Sequence, residues 1–64
     1  MKPELGSTVY VNNMGFVEGK RVYFVGEESF FAMEVSYAPM EKYYYADEGN
    51  TWFATEEEAK NRGR

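Results

Sequence analysis

Residues 20–37, KRVYFVGEESFFAMEVSY, decide the fold because they hold two alternating apolar segments joined by a short polar turn. This pattern predicts a β-hairpin that turns at Glu27 and Glu28. The predicted register pairs Val25 with Phe30, Phe24 with Phe31, Tyr23 with Ala32, Val22 with Met33 and Arg21 with Glu34. A slip by one residue would mix the two faces and separate Arg21 from Glu34, so the side chains themselves specify this register.

Both faces of the predicted hairpin are apolar, so one of them has to be chosen as the interior. We assign the core to the face that carries Val22, Phe24, Phe31, Met33 and Val35. Extension of the register through residues 38–41 and the turn at residues 47–50 adds Tyr44 and Phe53 to this core. The opposite face then collects Tyr23, Val25, Phe30, Ala32, Tyr43, Tyr45 and Trp52.

The remaining segments predict a series of short strands and one short helix. Strands are expected near residues 8–11, 20–26, 29–37, 42–46 and 51–54, and a helix near residues 55–62. In the first strand Val9 and Val11 point inward. Phe16 lies in a segment rich in Asn and Gly, residues 12–19, which forms either a brief strand or a loop; we favour a loop whose Phe16 caps the core. Leu5 is expected to plug one end of the core.

The start of the predicted helix has a recognisable signal. Thr55, followed three residues later by Glu58, fits a capping box. Glu56 and Glu57 in the first turn suit the positive end of the helix dipole. Three consecutive glutamates point about 100° apart on a helix, so they do not converge on a metal ion.

This element order predicts a mainly β fold, namely a small five-stranded antiparallel SH3-like barrel with a short C-terminal helix. A flat meander with the helix on one face is the alternative architecture. A chain of 64 residues has room for one domain, residues 1–64, and a core that buries only about 60% of the unfolded surface. Aromatic residues, 19% of the chain, are expected to supply most of that burial.

Composition narrows the function classes. The chain has neither Cys nor His, which removes disulfides, thiolate metal sites and the commonest general base. We therefore expect no enzyme activity and no cofactor. A net charge of −4 makes nucleic acid an unlikely partner. No apolar run approaches the ~20 residues of a membrane span, so a soluble cytoplasmic protein is expected.

Three segments carry a resemblance to a known group: residues 6–11 (GSTVYV), 19–22 (GKRV) and 52–59 (WFATEEEA). Together they resemble small accessory proteins of bacteriophages and prophages, in which a first strand leads through a compact barrel to a closing strand-to-helix step. The run Tyr43-Tyr44-Tyr45 and the short helix depart from that pattern. Functions in this group are mostly unknown, so the resemblance implies a phage setting, the host cytoplasm and a host-protein partner, but no catalytic residues.

The apolar face opposite the predicted core is the candidate site. We expect a protein-binding module whose contacts are Tyr23, Phe30, Tyr43, Tyr45 and Trp52, rimmed by Arg21, Glu27, Glu28 and Glu34. A groove for proline-rich peptides is a variant of this hypothesis. One alternative is a self-associating accessory protein that buries this face in a homodimer. Another is a nucleic-acid-associated or nucleic-acid-mimicking barrel. A third is that the protein covers these rings itself.

Overall fold

The protein is described here by a computed structural model that covers residues 2–34 and 39–61. Four strands, β1 (Thr8–Asn13), β2 (Phe16–Val25), β3 (Ser29–Met33) and β4 (Glu41–Tyr44), are followed by a 3₁₀ turn, Tyr45–Asp47, and one helix, α1 (Glu56–Asn61). The strands form one antiparallel sheet in the order β1-β2-β3-β4, and this sheet curls into a half-barrel. The predicted mainly β class with a short C-terminal helix is therefore confirmed.

The first hairpin corrects the prediction of a loop at residues 12–19. A two-residue turn at Met14 (φ 55°) and Gly15 (φ 94°) connects β1 to β2, and the Asn12 Oδ1 accepts a 2.8 Å hydrogen bond from the Gly15 N–H. Positive φ at both central residues is the turn geometry that matches the twist of a hairpin. Phe16 consequently begins β2 and is 76% exposed rather than capping the core.

A β-bulge at Tyr23 changes the register of the second hairpin. Near the turn the predicted pairs Val25–Phe30 and Phe24–Phe31 are confirmed, but beyond the bulge Val22 pairs with Ala32. One extra residue on one strand moves the following side chains to the other face. The predicted partners of Tyr23, Val22 and Arg21 are therefore wrong.

The interior is the face that we had predicted to be outside. Its fully buried side chains include Phe30, Ala32 and Trp52, while Phe24 and Tyr44, predicted as core, are exposed. The cluster is Val9, Val11, Val22, Phe30, Ala32, Tyr43 and Trp52, with Tyr45 packed against it. The predicted grouping of Phe30, Ala32, Tyr43, Tyr45 and Trp52 is thus confirmed, whereas Tyr23 and Val25, predicted with them, are exposed. Burial of the predicted core residues is confirmed for Val9, Val11, Val22 and Phe53. The choice of interior face in β3 and β4 was wrong.

The segment predicted as a fifth strand forms two isolated bridges instead of a strand. Phe53 pairs with Tyr10 through backbone hydrogen bonds of 2.9 and 2.7 Å, and Trp52 bridges to Glu48. The turn before it confirms the predicted left-handed glycine, since Gly49 has φ 86°. Leu5, predicted to plug the core, is exposed.

Helix α1 docks on β1 and β2. The N-cap bond of the predicted capping box is confirmed, because the Glu58 N–H donates to the Thr55 Oγ1 at 3.2 Å. Ala59 is fully buried, and its carbonyl accepts a 2.7 Å hydrogen bond from the Asn12 Nδ2. Val35, predicted as core, and the end of the strand predicted at residues 29–37 lie outside the described residues.

Candidate binding surface

The predicted contact residues do not form one surface. Phe30 and Trp52 are 0% exposed and Tyr43 is 9% exposed, while Tyr45 is half-buried against the same cluster. Tyr23 is exposed, at 46%. A contact surface built from Phe30, Tyr43 and Trp52 is therefore wrong for this fold. The rim residues Arg21, Glu27, Glu28 and Glu34 are all exposed.

The buried rings form an aromatic stack centred on Phe30. Its ring lies 5.6 Å from that of Tyr43 and 5.8 Å from that of Tyr45 in stacked geometry, and 4.9 Å from Trp52 edge-on. Each ring that has a polar atom also has a hydrogen-bond partner. The Trp52 Nε1 donates to the Tyr44 carbonyl at 2.8 Å, and the Tyr45 hydroxyl donates to the Gly26 carbonyl at 2.6 Å. Such partners remove the main cost of burying Tyr and Trp.

The opposite face of the sheet carries rings that the core does not use. Phe24 is 56% exposed, Tyr44 is 47% exposed and Phe31 is half-covered. Phe24 and Phe31 are paired across β2 and β3, with their ring centroids 5.9 Å apart in an edge contact. Tyr44 shares this face because it lies two residues after Lys42, the partner of Phe31. We call Phe24, Phe31 and Tyr44 the outer aromatic surface.

The charges on this face are cationic although the chain is acidic. Arg21 pairs with Met33 and Lys42 pairs with Phe31, so both cations flank the outer aromatic surface. The Lys42 Nζ lies 5.1 Å from the Tyr44 ring centroid. The acidic residues of β1–β4 are Glu18 and Glu41, and both pair with buried residues on the inner face. No carboxylate of these four strands therefore lies on the outer face.

A polar cleft of about 290 Å³ lies on the concave inner face. Its centre is Glu41, whose Oε1 accepts hydrogen bonds from the Lys20 Nζ at 2.9 Å and the Tyr43 hydroxyl at 2.8 Å. The bond from Lys20 lowers the pKa of the Glu41 carboxyl, and the bond from Tyr43 lowers it further. The other lining residues are Val11, Asn12, Asn13, Glu18 and Thr51.

The hydrogen bond between Tyr43 and Glu41 in this cleft helps to hold the core together. Burial raises the pKa of the Tyr43 hydroxyl far above its usual value near 10, and the bond to Glu41 adds to this effect. The hydroxyl thus remains a proton donor throughout the ordinary pH range. Because this bond fixes a ring that stacks on Phe30, the cleft and the aromatic stack are one structural unit.

Sequence reasoning missed the outer aromatic surface because the bulge was not foreseen. In an uninterrupted register Arg21 lies on the face opposite Phe31, whereas the structure brings Arg21 and Phe31 to the same side. The useful signal was the pattern of charge in β4: Lys42 and Tyr44 alternate with Glu41 and Tyr43. A long cationic side chain is more often exposed than buried.

In comparisons with known proteins, no family model, curated protein or solved structure matches the chain. Within residues 2–34 and 39–61, no three His, Cys, Asp or Glu side chains are grouped so as to hold a metal ion. In the same part of the chain, no helix has the length and apolar character needed to cross a membrane.

Proposed function

We propose that this chain is a non-catalytic protein-binding module that contacts its partner through the outer aromatic surface. The observation that carries the proposal is the exposure of Phe24 beside Phe31 and Tyr44, flanked by Arg21 and Lys42. Exposed rings next to Arg are the composition of contact hot spots. Tyr23 was predicted from the sequence as a contact residue. It is exposed at the bulge beside Phe24, and we retain it as a flanking contact.

The proposal also includes an SH3-like barrel fold and a bacteriophage origin. The return of Phe53 to pair with β1 at Tyr10 supports an SH3-like closure of the half-barrel, in which residues 52–53 act as a minimal fifth strand. The resemblance to phage accessory proteins points to a bacterial host protein as the partner.

Selection of binding peptides from a displayed random library tests the proposal. The chosen peptides should bind wild type and the Phe16→Ser variant equally, because Phe16 is an exposed phenylalanine outside the outer aromatic surface. They should bind Phe24→Ser at least about tenfold more weakly, the loss expected when one hot-spot ring is removed. Failure to enrich any peptide, or equal losses in both variants, would contradict the proposal.

Two further measurements address the other function classes. Sedimentation over a range of concentrations tests the self-associating alternative, which requires a concentration-dependent dimer. Titration with a fluorescent single-stranded oligonucleotide tests nucleic-acid binding. With Arg21 and Lys42 as the cations on this face, we expect no binding at physiological salt.

A further inference from the structure

The outer edge of β4 presents backbone groups that have no partner within the described residues. The Tyr45 N–H donates to the Glu28 carbonyl at 3.1 Å, so alternate residues of β4, Tyr43 and Glu41, direct their backbone groups toward β3. Lys42 and Tyr44 then direct theirs away from β3. The acceptance of the Trp52 Nε1–H by the Tyr44 carbonyl agrees with this direction.

This edge is accessible and continuous with the outer aromatic surface. Among the described residues β4 pairs only with β3, which leaves the N–H and C=O of Lys42 and the N–H of Tyr44 open to a partner. Both residues are exposed. An open strand edge is a template for another strand, because it offers hydrogen bonds at fixed spacing.

We propose that β4 recruits an extended segment of the partner protein as an added antiparallel strand. This inference rests on the proposed function and specifies how the partner binds. The added segment places a carboxylate opposite Lys42 and an aromatic side chain opposite Tyr44. It thereby extends the outer face that already carries Phe24 and Phe31. Opposite charges and aromatic pairs directly across strands are the combinations that stabilise a sheet.

Charge argues for a different protein rather than a second copy. A two-fold pairing of β4 with itself about Tyr43 places Tyr44 of one copy opposite Lys42 of the other, so neither Lys42 meets a carboxylate. It also joins two outer faces that each carry Arg21 and Lys42, whereas the acids of these strands, Glu18 and Glu41, lie on the inner face.

A synthetic heptapeptide, TTVYVET with blocked ends, is the probe. In an antiparallel arrangement its tyrosine lies opposite Tyr44 and its glutamate lies opposite Lys42. The peptide N–H of that glutamate then points to the Lys42 carbonyl, while the N–H of the preceding valine points to solvent. N-methylation of the glutamate should weaken binding at least about tenfold, and N-methylation of that valine should leave it within about twofold.

A matched pair of protein variants tests the same hydrogen bonds from the other side. Tyr44→Pro and Tyr44→Ala both remove the ring, but only proline removes the outward N–H. Proline removes no hydrogen bond of the ladder here, because this N–H is not used in the pairing with β3. The φ of Tyr44 is −96°, about 30° from the value that proline prefers, so circular dichroism of Tyr44→Pro has to show the wild-type fold before binding is compared. Fluorescence anisotropy of the labelled peptide should show about tenfold weaker binding to Tyr44→Pro than to Tyr44→Ala.

The outcomes separate the strand-addition inference from the proposed function. Equal binding by the two Tyr44 variants, or by the two methylated peptides, overturns strand addition; the proposed function stands if binding still depends on Phe24. Failure of the unmodified heptapeptide to bind also overturns it, while library peptides that bind through Phe24 would preserve the surface. A concentration-dependent dimer that Tyr44→Pro abolishes would make a second copy the occupant and overturn the choice of a foreign partner.

Discussion

Two neighbouring phenylalanines in β3 provide the sharpest test of the fold, because they lie on opposite faces. Phe30 is fully buried and contacts three rings, whereas Phe31 is half-covered on the outer face, with one edge contact to Phe24. Replacement of Phe30 by alanine would lower the free energy of unfolding by about 3–5 kcal/mol. A domain of this size has a total stability of only about 3–10 kcal/mol, so leucine is the better substitution.

The expected losses follow from the ring contacts. Phe30→Leu removes three aromatic contacts worth roughly 0.5–1.5 kcal/mol each, and leucine restores part of the packing, so we expect a loss of about 1.5–3 kcal/mol. Phe31→Leu removes one partly solvated contact and should cost about 0.5 kcal/mol. This difference in unfolding free energy should separate the thermal midpoints, Tm, of the two variants by about 10 °C.

Urea denaturation followed by Trp52 fluorescence measures these losses. Trp52 is the single tryptophan of the chain and is fully buried, so its emission reports unfolding directly, and both substitutions retain it. A loss for Phe31→Leu that equals or exceeds the loss for Phe30→Leu would refute the reasoning. That result would mean that the hairpin faces are those of the uninterrupted register.

Three further substitutions test local features. Met14→Asn should raise stability by about 1 kcal/mol in thermal denaturation, because Asn tolerates the positive φ and Met14 is 93% exposed; an unchanged midpoint would argue against strain at this turn. Thr55→Ala should lower stability by about 1 kcal/mol through loss of the helix cap, and no loss would contradict the cap. Tyr43→Phe should make the alkaline loss of stability shallower, because the raised pKa of Tyr43 keeps the folded state protonated while the unfolded state ionises above about pH 10; identical urea midpoints against pH in both proteins would exclude this linkage.

Local chemistry made much of the fold predictable. The alternation in residues 20–37 located the hairpin and its turn, and the pairing of Phe24 with Phe31 followed from it. The Thr55 cap and the left-handed Gly49 are each determined within a few residues. The first hairpin was missed because Asn12 pairs with Val17 despite its low strand propensity, once the turn at residues 14–15 has set the register.

The bulge at Tyr23 could not be predicted, because nothing in the sequence around it marks an irregularity. Neither Gly nor Pro lies between Arg21 and Val25, and every residue there is a good strand former. Its consequence reaches well beyond one residue. Because the bulge puts Val22 on the face of Phe30, it gives that face the aliphatic residue that the prediction had placed with Phe24.

The distribution of rings between the two faces bears on function as well as on folding. Trp52, Tyr43 and Tyr45 pack around the buried Phe30, and each of their polar atoms has a hydrogen-bond partner. Phe24, which needs no such partner, remains exposed, and Phe31 is half-covered. For stability alone, phenylalanines are the cheaper rings to bury. The exposure of Phe24, beside Phe31 and Tyr44, is not required by any polar group of these two phenylalanines, and it supports the proposal that the outer aromatic surface is kept for contact with another protein.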